Sequence, residues 1–228
     1  MAKQQHKDRA HALLSASGAE RWINCTPSAR LEEQVPNKGA SVYADEGTFA
    51  HELAENRLLN YLTKRPTVES KLIDVRYNQL KAKEWYSEET EAYVDTYVDY
   101  VIELHKQYPN SSLLIEKKIN LGNIIENGFG TNDAVIVADN RIIVIDLKFG
   151  QGNIVSAEDN SQLKLYAYGS FRANELNFEI DFDHPAFDKI VQPRRDHVSH
   201  YELSAKELIE WAEGYVKERA AMAHAGQG

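Results

Sequence analysis

The spacing of hydrophobic positions changes from helical to extended near the middle of the chain. The stretches "DEGTFAHELAENRLLNYLTKR" (45–65) and "SEETEAYVDTYVDYVIELHKQY" (87–108) repeat apolar residues every three or four positions, which predicts two long helices. The second helix is expected to begin at Ser87, with acidic residues in its first turn. Further on, "SSLLIEKKINL", "GTNDAVIVADN" and "RIIVIDLKFG" predict three strands. Asp139-Asn140 is a short turn signal, so the last two strands are predicted to form a hairpin.

The flanking segments add further elements to this pattern. "LLSASGAERWINCTPSARLEEQ" predicts two short helices broken at Thr26-Pro27, and "SAEDNSQLKLYAYGSFRAN" predicts another helix. "FDKIVQPRR" predicts a strand that ends at Pro193, and a final helix is predicted from Ser204, with Glu207 at capping-box spacing. The expected fold is an α/β (α+β) domain, with a mixed central sheet flanked by helices and extra N-terminal helices. One domain is expected over residues 13–222, with mobile tails at 1–12 and 223–228.

Composition narrows the class of protein. The chain has 228 residues, 43% of them hydrophobic, which is enough for one substantial core. The net charge of −9 argues against a generic basic coat for nucleic acid, although it permits an enzyme that gathers carboxylates around metal ions. The single cysteine, Cys25, excludes an internal disulfide and a multi-cysteine zinc or iron–sulfur site. No apolar run approaches the ~18 residues of a membrane span, and no signal-peptide core is present, so we expect no membrane association and a cytoplasmic location.

Candidate chemistry is concentrated at the ends of two predicted strands. Asp146 and Lys148 lie two residues apart in an apolar strand and therefore point to the same side. Because burying a charge is costly unless it is paired or bound to metal, this strand end is expected to open onto a site. Asp133 is predicted to begin the preceding strand, after Gly128 and Gly130. Two carboxylates beside an ammonium can hold a hard divalent cation and position a water. The alternatives are a structural ion pair and a turn-capping aspartate.

Three further polar residues are candidates for the same site. Glu116 lies on a neighbouring predicted strand, while His51 and Glu55 are one helical turn apart on one face of the first long helix. Both glutamates are possible additional metal ligands. The alternatives are an exposed or salt-bridged Glu116 and an ordinary hydrogen-bonded helical histidine at position 51.

Four segments together carry a family resemblance. In chain order, "GTFAHELAE", "GFGTNDAVIV", "VIDLKFG" and "QLKLY" resemble the RecB-like branch of the PD-(D/E)XK nuclease superfamily. The match is good over about residues 47–166. The flanks "LSASGAERWINC" and "IVQPRRDHVSHYELS" look like phage- and prophage-encoded members, which extends the resemblance over roughly residues 13–212. The resemblance implies a restriction-endonuclease-like core.

The resemblance also implies roles for individual residues. His51 corresponds to the histidine metal ligand, and Asp133 and Asp146 correspond to the two acidic ligands. The main-chain carbonyl of Leu147 is an expected additional metal contact.

The catalytic lysine of such sites corresponds to Lys148. Gln162 and Tyr166 match the pair on the following helix that organises the site and the DNA backbone, although on their own they would be read as a partly buried helical face.

The implied activity is a Mg²⁺- or Mn²⁺-dependent deoxyribonuclease, more in keeping with an exonuclease of phage recombination or replication than with a site-specific endonuclease. Its expected partners are DNA ends, single- or double-stranded, and a phage single-strand-binding or annealing protein. The alternative is a catalytically inactive nuclease fold that binds DNA or docks to another protein.

Some features depart from the family pattern. Asn132 stands where the superfamily's name expects proline. The four cysteines of cluster-containing relatives are missing, so no iron–sulfur cluster is expected, and no G-x-x-x-x-G-K-[ST] loop is present, so no nucleotide cofactor is expected. Basic positions that are candidates for phosphate contacts, with solvated surface charge as the alternative, are Lys117, Lys118, Lys164, Arg194 and Arg195.

Overall fold

The computed structural model describes residues 13–35, 42–138, 140–175 and 185–228. The predicted tail at 1–12 therefore lies outside the described residues, as does Asp139 of the predicted turn. Among the described residues, no helix is long and apolar enough to cross a membrane.

The described strands form a mixed sheet in the order β1-β2-β3-β4-β5. The β3–β4 pair is parallel, and the other neighbouring pairs are antiparallel. This confirms the predicted mixed sheet with helices on both sides. The strands are β1 (Ser112–Asn120), β2 (Phe129–Ala138), β3 (Arg141–Leu147), β4 (Pro185–Gln192) and β5 (His197–Ser204).

The predicted order of elements was wrong in omitting β5. This edge strand is half-exposed, with alternating burial and several polar residues in "HVSHYELS". Because one face of an edge strand can remain in water, its hydrophobic signal is weaker than that of the central strands.

Helices cover the sheet on both faces. They are α1 (Ala19–Asn24), α2 (Ser28–Glu32), α3 (Val42–Leu62), α4 (Val68–Lys81), α5 (Glu88–Lys106), α6 (Ser161–Asn174), α7 (Ala205–Ile209) and α8 (Lys217–Ala225). Ile143 and Ile145 of β3 pack with α3 and α5, whereas Ile142 and Val144 pack on the opposite face with α6. This two-sided burial explains why β3 is apolar without alternation.

Helix starts follow the capping signals. Ser87 accepts a hydrogen bond from the backbone of Thr90 at the start of α5, and Ser204 with Glu207 forms the predicted capping box. A second capping box, at Thr67, begins α4, a helix that the hydrophobic pattern did not predict.

The C-terminal helix reaches further than the predicted domain boundary at residue 222. A π-helical segment (Glu210–Val216) joins α7 to α8, and α8 ends at Ala225. The Arg30 guanidinium donates to the carbonyl of His224 at 2.7 and 2.8 Å, and the Thr26 hydroxyl donates to the carbonyl of Gln227. These hydrogen bonds hold residues 223–227 against the N-terminal helices, although the sequence predicted a mobile tail there.

Candidate active site and metal centre

The predicted acidic residues meet where the central strands separate. Asp133 lies within β2 and does not begin it, because the strand starts at Phe129. The last pair between β2 and β3 is Ala134 with Ile145, so Asp133 sits at the point of separation. Its Oδ2 accepts a hydrogen bond from the backbone N–H of Leu147 at 2.7 Å. This bond fixes the Asp133 carboxylate against the C-terminal end of β3.

An irregularity in the β1–β2 hairpin brings Glu116 to the same place. Glu116 has φ +46°, a left-handed conformation that costs ~1–3 kcal/mol for a non-glycine residue. The side-chain alternation of β2 is interrupted at Asp133: Ala134 packs toward α3 and α5, whereas Asn132 donates to Ser170 of α6 at 2.6 Å. The two carboxylates thus leave the regular strand pattern together, and such strain is typical of functional sites.

His51, Glu116 and Asp133 form a cluster that could hold a metal ion. One potential ligand atom from each lies within 4.8 Å of the other two. Nδ1 of His51, on α3, is 3.2 Å from Oδ1 of Asp133. One imidazole and two carboxylates are a donor set that divalent cations such as Mg²⁺ or Mn²⁺ accept.

The electrostatics of the cluster favour a cation. Burial lowers the pKa of His51, but the charge of Asp133 and its hydrogen bond outweigh burial and raise that pKa to about 9. Burial, and next the charge of Asp133, raise the pKa of Glu116 from 4.5 to about 7. Without metal, the cluster therefore retains protons near neutral pH. A divalent cation would displace those protons, which fits the proposed ligand role.

Asp146 belongs to a second, adjoining network. Its Oδ2 lies 2.8 Å from Nζ of Lys148, and its Oδ1 accepts from Nε2 of Gln162 at 3.1 Å. Lys148 also donates to Oε1 of Gln162 at 3.0 Å. Burial raises the pKa of Asp146 to about 6, although Lys148 lowers it and the charge of Asp133 raises it further. The predicted site residues thus divide into a cluster that could hold a metal ion and a network around Lys148, with Asp133 and Asp146 on neighbouring strands.

Comparison with protein families assigns the chain to one family. The family model described as "Protein of unknown function (DUF2800)" matches residues 11–228. The chain belongs to the DUF2800 family.

Two solved structures resemble this DUF2800 chain. SSO0001 matches with a TM-score of 0.33 and 16% identity, covering 92% of this chain and 86% of that one. A protein from Eubacterium rectale named "Putative exonuclease" matches with a TM-score of 0.49 and 9% identity, covering 100% of this chain and 89% of that one. Both scores are below 0.5, so neither likeness supports a conclusion about this DUF2800 protein.

Gly130, three residues before Asp133, leaves room for the Tyr166 ring. A β-carbon at position 130 would lie 2.7 Å from Cε1 of Tyr166, well inside van der Waals contact. The absence of a side chain lets the Tyr166 ring pack on β2, where its hydroxyl accepts from Nε2 of Gln162 at 3.2 Å. Burial raises the pKa of Tyr166, so the phenol is neutral.

Glu55 is near the cluster but is held by a cation. Nη2 of Arg76, on α4, lies 2.6 Å from its Oε2. Arg76 escaped notice in the sequence because α4 was unassigned, although the capping-box residues Thr67 and Ser70 were a usable signal.

Gln192 is a second residue that the sequence reading missed. It is buried at the end of β4, its Oε1 accepts from the backbone of Val155 at 2.7 Å, and its Nε2 donates to the carbonyl of Asn153 at 3.2 Å. It therefore anchors the loop that joins β3 to the helix of Gln162. A polar residue directly after the apolar pair Ile190-Val191 was its only signal.

Proposed function

We propose that this DUF2800 protein is a metal-dependent nuclease that hydrolyses phosphodiester bonds in DNA. The observation that carries the proposal is the meeting of the His51–Glu116–Asp133 cluster with the Asp146–Lys148 pair at one end of the sheet. The RecB-like PD-(D/E)XK resemblance of the sequence supports the same activity, because it predicted four of these five residues in their chain order.

The proposed metal ligands are His51, Glu116 and Asp133, with Asp146 and the carbonyl of Leu147 as further predicted contacts. A bound Mg²⁺ or Mn²⁺ would supply Lewis-acid activation of the scissile phosphate and a more acidic bound water.

Lys148 is proposed to act on the reacting groups. Its side chain is 29% exposed, whereas that of Asp146 is 4% exposed, so the lysine is the more accessible member of the pair. It can orient the attacking water and stabilise charge that develops on the phosphate. Gln162 holds both ends of this pair, and Tyr166 in turn holds Gln162, so these two residues preserve the orientation of the lysine.

We further propose an exonuclease of phage recombination or replication, on the strength of the sequence resemblance alone. A phage single-strand-binding or annealing protein would be its partner. The competing function is an inactive nuclease fold that binds DNA or docks to a protein. Glu116 argues against that alternative, because a strained, positive-φ carboxylate beside a second carboxylate destabilises a scaffold that has no use for metal.

The experiment is a cleavage assay on linear DNA labelled at the 5′ or the 3′ end, with closed circular DNA as the comparison substrate. Wild-type protein should degrade linear DNA in Mg²⁺ or Mn²⁺, should be inactive in EDTA, and should leave circles intact. Asp133→Asn, purified in parallel, controls for contaminating nucleases. Metal-dependent cleavage of circles would replace exonuclease with endonuclease. An inactive wild-type protein that still binds DNA would favour the competing function.

A further inference from the structure

The basic residues considered as phosphate contacts differ in their availability. The Lys164 side chain is buried, forms an ion pair with Asp159, and has its Nζ 3.9 Å from the centre of the Trp211 ring. Nη1 of Arg194 lies 2.8 Å from Oε1 of Glu46. These two cations are neutralised within the protein, so neither is free to bind a phosphate.

Lys117, Lys118 and Arg195 behave differently. All three are exposed, and none forms an ion pair with a residue that the structure describes. Nζ of Lys118 lies 4.6 Å from the centre of the Phe129 ring, a contact that orients the ammonium without neutralising its charge.

The positions of these three cations flank the candidate site. β1, β3 and β4 run in the same direction, because β1 and β3 are both antiparallel to β2 and β3 is parallel to β4. Lys117 and Lys118 directly follow Glu116 on β1, and Arg195 lies just beyond the end of β4. β1 and β4 are three strand spacings apart, or roughly 14 Å. Asp133 on β2, Asp146 on β3 and Lys148, just after the end of β3, lie between them.

We infer that Lys117, Lys118 and Arg195 are phosphate contacts that hold a DNA strand across this end of the sheet, on either side of the scissile bond. The inference rests on the proposed nuclease function. Charge complementarity supports a polyanion as the occupant, since exposed cations with no ion pair among the described residues lie at both sides of the site.

The test measures DNA binding without metal, so that binding is separated from cleavage. Fluorescence anisotropy of a labelled duplex in EDTA gives Kd over a series of salt concentrations. Each phosphate contact contributes ~0.7–0.9 to the slope of log Kd against log salt. Lys117→Ala/Lys118→Ala should therefore reduce the slope by about 1.4–1.8, and Arg195→Ala by about 0.7–0.9. In steady-state cleavage with Mg²⁺, the same variants should raise KM and leave kcat nearly unchanged.

Two controls make the result specific. Lys206→Ala/Lys217→Ala removes two exposed lysines from α7 and α8, and should leave the slope unchanged. Lys117→Arg/Lys118→Arg keeps both charges and should bind like wild type. If the alanine variants bind with the wild-type slope while wild type cleaves DNA, the inference is overturned and the nuclease stands. If the slopes fall as expected but wild type never cleaves, the phosphate contacts stand and the nuclease is overturned.

Discussion

Replacing Lys148 tests whether this lysine acts in catalysis or only stabilises the fold. Both roles are open to it, because it forms an ion pair with the buried carboxylate of Asp146. Removing one partner of a buried pair typically costs ~3–5 kcal/mol when the remaining charge stays unpaired. Asp146 need not keep an unpaired charge, because burial already raises its pKa to about 6. In the Lys148→Ala variant, Asp146 can take up a proton and become neutral.

The size of the effect follows from that pKa. Protonating Asp146 in the folded protein costs about 1.4 kcal/mol for each pH unit above about 6. The electrostatic loss in Lys148→Ala should therefore be limited to about 1 kcal/mol near pH 7 and about 3 kcal/mol near pH 8, and should become small below pH 6. Because folding raises the pKa of Asp146, the folded protein loses stability as pH rises. Removing Lys148 extends that loss of stability to higher pH. The lost hydrogen bond to Gln162 adds about 0.5–1.5 kcal/mol at every pH.

Urea denaturation of metal-free protein across this pH range measures the stability, and single-turnover cleavage on the same preparation measures the chemistry. Cleavage by Lys148→Ala should fall on the order of 10²–10³-fold even near pH 6, where the lost hydrogen bond to Gln162 is the main remaining effect on the fold. Lys148→Met, which retains the apolar stem, should show the same loss of cleavage. A pH-independent loss of 3–5 kcal/mol, or a stable variant with wild-type cleavage, would refute the catalytic role.

Three further substitutions test the rest of the site. Asp146→Asn should weaken Mn²⁺ binding and abolish cleavage, because it removes a predicted ligand charge while retaining the side-chain shape; unchanged Mn²⁺ affinity by calorimetry would contradict this. In metal-free protein, the stability contributed by His51 should be complete below pH 6.5 and lost as pH rises through about 9, so the stability difference between wild type and His51→Ala should shrink over that range in chemical denaturation. A constant difference would argue against the Asp133 partner. Gly130→Ala should displace the Tyr166 ring, cost ~1–3 kcal/mol and slow cleavage, whereas Gly152→Ala, which meets no atom within 4 Å, should match wild type; equal behaviour of the two would count against the packing role.

The sequence was informative where local signals were strong. The apolar run of β3 interrupted by Asp146 and Lys148 predicted a strand end that opens onto a site, and the structure places Gln162 across that pair. Caps at Ser87 and Ser204 predicted two helix starts, because N-terminal capping depends on residues adjacent in the chain.

Non-local features could not be predicted in the same way. The approach of Glu116 to His51 depends on a positive φ and on an interruption in the hairpin, neither of which has a residue signature, since a glutamate rarely adopts that conformation. The pairing of Glu55 with Arg76 depends on the packing of α4 against α3. The sequence also placed Asp133 at a strand start, because the preceding glycine was read as a loop when it instead makes room for an aromatic ring.

The central claim is that His51, Glu116 and Asp133 bind one divalent ion, and titration of metal-free protein with Mn²⁺ tests it most directly. Calorimetry should show binding by wild type and at least about tenfold weaker binding, or 1.4 kcal/mol, by Asp133→Asn and by Glu116→Gln. Glu55→Gln removes a nearby carboxylate that already pairs with an arginine, so it should retain wild-type affinity. Wild-type Mn²⁺ affinity in both cluster variants would contradict the account.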